Sequence, residues 1–284
     1  IGAPLGGGAG AGGPRGLVPE GGTKRVLLAR HGEGHHNVAG QRDVKNYRLW
    51  EYQDARLTDR GRRQAAALGG HLERSGLVSE VDLVVVTPLS RSIETATTAM
   101  GTRGPSVPFV CHEGPREILG PNPCDKRRPL SELRADFPHV DFALVRGGEE
   151  DALFDEARRE PEEAIARRAW DFLDWLSHRP ERTFLVVTHQ VFLQVLSQEG
   201  CGHLAGDLAA HLQRPFRNCE LRSVLIHAAG AGASPADFVS EDSFEERPRR
   251  PATCSSSASC EARPARARRL ARASAHRPPR APSP

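Results

Sequence analysis

The chain of 284 residues is short of several things. Six cysteines, Cys111, Cys124, Cys201, Cys219, Cys254 and Cys260, are scattered with no Cys-x-x-Cys pair. That excludes a cysteine zinc ribbon and a dithiol redox motif. It is also too sparse for a disulfide framework, so free thiols in a reducing compartment are expected. No apolar run approaches the ~20 residues that cross a bilayer, so no membrane partner is expected and a cytoplasmic location fits. The chain begins at Ile1, which leaves open an organellar address ahead of it. Aromatic residues make up 5% of the chain, and none lies beyond position 246, which removes the stacking platform of a single-strand binder there. No internal repeat is visible.

Apolar residues are also scarce at both ends. Residues 1–22 are mostly Gly, Ala and Pro, and residues 230–284 are rich in Ser, Pro and Arg; both are expected to be disordered. The formal charge of +3 is unevenly spread, because ten arginines from Arg247 to Arg280 oppose one acid, Glu261, leaving the rest of the chain acidic. Such a basic tail could meet nucleic acid or an acidic partner, but a solvated, compositionally biased tail is the plainer reading.

What is present lies between 24 and 229, ample for one core. Runs over 24–29, 82–87 and 183–188 are apolar without alternation and predict strands buried on both faces; 107–112 and 219–227 are further strands. Thr58 reads as a helix N-cap with Asp59 in the first turn, predicting a helix over 58–74. Helices are expected over 89–100, 131–137, 191–198 and, after Pro161, to about 176. The stretch from Arg30 to Leu57 reads as a long loop that includes His35 and His36. Alternating strands and helices predict an α/β fold, a three-layer α/β/α sandwich with a mostly parallel sheet.

Two of these strands end alike. Val26-Leu27-Leu28-Ala29 runs into Arg30-His31, and Leu185-Val186-Val187-Thr188 runs into His189. In a parallel sheet those ends share one edge, where ligands of open α/β sheets bind. The 82–87 strand ends there too, and Arg91 lies in the turn that follows it. Two histidines and two arginines at one edge predict an anion pocket. His31, His35 and His36 have no carboxylate or thiolate partner at metal-ligand spacing, so neither metal nor cofactor is expected. Cys124, Cys219, Trp170 and Trp175 read as packing residues.

The motifs around these residues resemble the histidine phosphatase superfamily, with its phosphoglycerate mutase-like fold. Arg30-His31-Gly32-Glu33 matches its signature, Leu57-Thr58-x-x-Gly61-x-x-Gln64-Ala65 the start of its first helix, Thr87-Pro88-Leu89-Ser90-Arg91 its second-arginine segment, and Val187-Thr188-His189 its second-histidine segment. Arg116-Glu117-x-Leu119-Gly120, Pro123-Cys124-Asp125-Lys126-Arg127, Phe137-Pro138-x-x-Asp141-Phe142 and Asn218-Cys219-Glu220-Leu221-Arg222-Ser223 resemble a plant and algal subgroup of phosphoglycerate mutase-like proteins.

The resemblance implies a phosphohistidine enzyme acting on a small phosphomonoester. His31 would be the nucleophile. Arg30, Asn37, Arg91 and His189 would bind the phosphoryl group, with His189 also catalytic, and Glu117 would be the proton donor, with Glu113 its nearby competitor. Gln190 stands where the family usually has a small residue. Glu117-Ile118-Leu119-Gly120-Pro121 stands where mutases of this fold carry Glu-Arg-His-Tyr-Gly, which favours hydrolysis over phosphotransfer. A non-catalytic phosphate-binding protein is the remaining alternative, and it has no need of His31.

Overall fold

Strands with no polar face to show to water end up in the middle of a sheet. In the computed structural model, which describes residues 22–201, 213–227 and 240–244, β1 (Thr23–Arg30), β2 (Leu83–Val86), β3 (Phe109–Cys111), β4 (Val140–Asp141) and β5 (Thr183–Thr188) pair in parallel. β6 (Leu221–His227) and β7 (Ser240–Phe244) extend one edge antiparallel. The order is β4-β3-β2-β5-β1-β6-β7. The helices are α1 (His35–Arg42), α2 (Asp59–Arg74), α3 (Ser90–Met100), α4 (Leu130–Asp136), α5 (Glu162–His178) and α6 (Gln190–Cys201).

Alternation along each strand splits the core in two. Leu27, Val84, Val86, Leu185 and Val187 face α2, α3 and α4, while Val26, Leu28, Val85, Phe184 and Val186 face α5 and α6. The expected α/β/α sandwich is therefore present. α2 starts as its sequence requires, with Thr58 Oγ1 accepting from Gly61 N at 3.0 Å, and it buries Ala65, Leu68 and Leu72. α5 buries Ile165, Ala169, Phe172, Leu173 and Leu176, a stripe at helical spacing. Trp170 and Trp175 pack against that same layer, as expected of them.

Three elements differ from the sequence expectation. α1 occupies part of the stretch read as loop; its buried side is His36, Asn37 and Ala39, so there is no apolar stripe to betray it. β4 is two residues long and carries no pattern. β7 extends the sheet beyond the expected boundary at 229; as an edge strand it needs no apolar repeat. The two terminal segments otherwise lie outside the described residues.

The order places β5 between β1 and β2, in register Arg30 with Thr188 and Val86 with Val187. All three carboxyl ends therefore point the same way and lie side by side. No helix among the described residues is long and apolar enough to cross a membrane.

Candidate active site

At those strand ends is a cavity of about 230 Å³, lined by Arg30, His31, Asn37, Arg91 and Glu117 together with His36, Tyr47, Gln190 and the 122–125 turn. The Arg-His-Gly-Glu turn after β1 is fixed by backbone contact with the start of α2. A Cβ at Gly32 would come within 2.7 Å of Gly61 O, and one at Gly61 within 2.1 Å of Glu33 O. Only glycine at both positions allows this approach. Thr58 N donates to Glu33 O (2.9 Å), Thr58 Oγ1 to Glu33 Oε1 (2.8 Å), and Glu33 N to Gln64 Oε1 (2.9 Å). The shared spacing of the two motifs is thus one packing unit.

His31 emerges from this turn almost fully buried. Its main-chain N–H donates to Thr188 O at 2.9 Å and its carbonyl accepts from Asn218 Nδ2 at 2.9 Å. Nδ1 lies 2.7 Å from Gly32 O, so Nδ1 carries the proton and Nε2 the lone pair. Burial, then the charges of Arg91 and Arg30, hold its pKa well below the usual imidazole value, which keeps the ring neutral.

Arg91 is 1% exposed. NH1 donates to Cys124 O (2.5 Å) and NH2 to Asp125 Oδ1 (2.8 Å), while Nε is buried without a partner. Its neighbour Ser90 donates through N and Oγ to Asp54 (2.7 and 2.5 Å), which anchors the start of α3. Arg30 NH1 donates to Phe216 O at 2.8 Å, and the Arg222 guanidinium lies 3.7 Å from the centre of the Phe216 ring. Arg30 Nε is likewise buried and unpartnered.

His189 is brought to His31 but not to the cavity wall. It is fully buried, its ring centroid 5.1 Å from that of His31. Nδ1 lies 3.3 Å from Arg91 NH2 and accepts from it, so Nε2 carries the proton and donates to Thr87 Oγ1 at 2.8 Å. Both ring nitrogens of His189 are therefore engaged, one with Arg91 and one with Thr87.

Glu117 is half-buried, with Oε1 accepting from Ile118 N and from Val191 N at the start of α6, both at 3.0 Å. Burial and the neighbouring carboxylate of Asp125 push its pKa up, against the Ile118 N–H, Arg91 and Arg30. Glu113, its sequence competitor, instead pairs with Arg116 at 2.9 Å and is absent from the cavity wall. Arg116 also binds Asp151 through both terminal nitrogens (2.9 and 2.6 Å) and donates to Asp125 O (2.8 Å), so it supports the 122–125 wall from behind.

Asn37 lines the cavity, but its Oδ1 caps α1 by accepting from Gly34 N (2.9 Å), leaving Nδ2 to donate to His36 Nε2 (3.1 Å). His36 corrects the sequence reading. It is buried on α1 in the cavity wall, its ring centroid 5.7 Å from that of His31, whereas His35 is exposed. Asp125, Thr87 and Asn218 were also missed as site residues; each lies inside a quoted motif, but nothing in residue type alone assigns it a partner. Cys124 lines the cavity, and Cys219 packs near Gly32.

A phosphoglycerate mutase-like protein of Arabidopsis thaliana is 36% identical over 241 residues, covering 74% of this chain and 87% of that one. Phosphoglycerate mutase-like protein 1 of the same plant is 34% identical over 256 residues, covering 78% and 89%. Among solved structures, mycobacterial hydrolase 1 superposes with a TM-score of 0.49 at 21% identity, over 78% of this chain and 97% of that one. The sequence profile of the histidine phosphatase superfamily (branch 1) matches residues 26–233, which contain every side chain that lines the cavity, and the chain belongs to that superfamily.

Proposed function

We propose that the protein hydrolyses small phosphomonoesters through a phosphohistidine formed on His31. The observation that carries this reading is the fixed tautomer of His31. With Nδ1–H held by Gly32 O, the Nε2 lone pair is the free nucleophilic position of a neutral ring beside two arginines.

In the first step Nε2 attacks phosphorus, an N–P bond forms, and the ester P–O bond breaks. Glu117, whose raised pKa keeps a proton available, delivers it to the departing alkoxide. In the second step Glu117 takes a proton from water, the water oxygen attacks phosphorus, and the N–P bond breaks to restore His31 and release phosphate. Arg30 and Arg91 on the cavity wall supply donors for phosphoryl oxygens, and such electrostatic positioning is most of the catalysis in phosphoryl transfer. Asn37 Nδ2 adds a neutral donor. His189 acts through Arg91, which it holds together with Asp125.

The reading is tested with purified full-length protein and an aryl phosphate, without added metal. Phosphate release that His31→Ala abolishes supports it. Release that persists in His31→Ala overturns the mechanism. Transfer between isomers without net release points to a mutase, and phosphate binding without turnover points to a binding protein.

A further inference from the structure

Burial sorts the lining of the cavity into a floor and a rim. His31, Asn37 and Arg91 are buried, whereas Tyr47, Ile118 and Val191, which line the same cavity, are half-buried. In phosphoryl transfer the attacking and leaving atoms lie on opposite sides of phosphorus. With Nε2 of His31 attacking from the floor, the leaving alcohol points outward, past Glu117 and along the rim.

Of these three rim residues Tyr47 offers the widest apolar surface, and its ring is held in place. It belongs to a 3-10 turn over Val44–Arg48. A Cβ at Gly40 of α1 would come within 2.2 Å of Tyr47 Cζ, so the ring lies directly on the helix backbone, its centroid 6.1 Å from that of His36. Asn46 Nδ2 donates to Ala39 O at 2.9 Å, which ties the turn to α1 beside Tyr47. Further along, Trp50 meets Phe154 edge to face with ring centroids 5.8 Å apart, and Lys126 Nζ lies 5.1 and 5.3 Å from the centres of those two rings. The segment is thus fastened to the turn that forms another wall of the cavity. A ring fixed before the substrate arrives loses little freedom on binding, so its contacts are retained as affinity.

We infer that Tyr47 sets the substrate preference of the site: the leaving alcohol carries a ring, of an aryl group or a sugar, whose face lies on the Tyr47 ring, with Ile118 and Val191 completing the rim around it. A ring covers an aromatic face, whereas a short open chain touches only part of it and gains correspondingly less. The inference rests on the phosphatase reading and gives it a substrate class.

Propyl phosphate, phenyl phosphate and glucose 6-phosphate test it on the full-length protein. The readout is kcat/KM, or the inhibition constant against an aryl phosphate for an ester that is not turned over. Each ester is compared with itself between wild type and variant, so the intrinsic reactivity of the leaving group cancels. Tyr47→Ala should weaken the ring esters about three- to tenfold, the weight of one aromatic contact, and propyl phosphate by less than about twofold. A loss on only one of the two ring esters identifies the kind of ring the rim takes and supports the inference. Inhibition by orthophosphate, which occupies the floor alone, should be unchanged, and Tyr47→Phe should behave as wild type. A loss shared by propyl phosphate or by orthophosphate would place Tyr47 in the support of the floor and overturn the inference, as would ring esters unaffected by Tyr47→Ala. A loss in Tyr47→Phe equal to that in Tyr47→Ala would assign the effect to the hydroxyl and overturn the ring contact. If the wild type cleaves none of the three esters, the phosphatase reading fails instead. Their dissociation constants by calorimetry then decide the contact: a loss in Tyr47→Ala confined to ring esters supports it, and equal affinities overturn it.

Discussion

Asp125→Asn keeps an oxygen within reach of Arg91 NH2 but removes the charge that the guanidinium faces at 2.8 Å. Arg91 is 1% exposed and Asp125 6%, so water cannot take over the pairing. Removing one partner of a buried pair costs about 3–5 kcal/mol. At roughly 2–4 °C per kcal/mol for a domain of this size, the melting temperature should fall by about 6–20 °C. A dianionic phosphate seated on Arg91 would restore the missing countercharge. Orthophosphate should therefore bind the variant more tightly than the wild type, with a coupling of about 1–3 kcal/mol. The assay is thermal unfolding across an orthophosphate titration. Saturating ligand stabilises by RT ln(1 + [L]/Kd), about 2.7 kcal/mol at a hundredfold excess over Kd, so the difference in affinity appears as a larger upward shift in the variant. Equal shifts in both proteins would mean that phosphate and Asp125 do not share Arg91, and the assignment of Arg91 to the phosphoryl group would be wrong.

Further outcomes follow from the same contacts. Activity should persist into mildly acid solution, because His31 stays neutral well below the usual imidazole pKa, and it should fall as pH rises through the raised pKa of Glu117; Glu117→Gln should lower kcat and flatten that fall in the pH–rate profile. Thr87→Val leaves the His189 Nε2–H buried without an acceptor, which should lower stability by about 1–3 kcal/mol and reduce kcat, read by denaturant unfolding and initial rates. Burial alone would raise the pKa of Asp151, but the hydrogen bonds and charge of Arg116 outweigh it and hold it below the usual range. Its contribution is therefore present above the unfolded carboxyl pKa of about 3.9 and fades as pH falls below it, so Asp151→Asn should be less stable at neutral pH and lose less on acidification. Gly61→Ala should unfold at lower temperature and lose activity together, since its Cβ has no room against Glu33 O and the turn carrying His31 must shift.

The parts of the fold legible in the sequence are those with a repeating physical demand. β1, β2 and β5 need apolar side chains on both faces, and α2 and α5 need a stripe and a start signal, so their sequences state what they are. α1 and β4 have no such demand. α1 is held by Asn37 capping Gly34 N and turns His36 and Asn37 toward a cavity, so its pattern is that of a site. His31, Arg30, Arg91 and Glu117 could be placed because they sit at strand ends or within recognisable motifs. The groups that hold them could not. Asp125, Arg116 and Asp151 meet across separations that only folding sets, and a buried Arg–Asp pair looks in sequence like any two surface charges. His189 shows the same limit from the other side: its position at a strand end was readable, but the engagement of both its nitrogens with Thr87 and Arg91 was not.

The central claim is that phosphorus becomes bonded to His31 Nε2. The direct measurement is to mix wild-type protein with an aryl phosphate, quench in alkali within one turnover, and locate the phosphoryl group on the digested peptides by mass spectrometry. The account predicts an alkali-stable, acid-labile phosphoryl group on the peptide carrying His31, absent in His31→Ala and accumulating in Glu117→Gln when water attack is slowed. A phosphoryl group on His189 or on a hydroxyl side chain, or turnover that continues without His31, would contradict it.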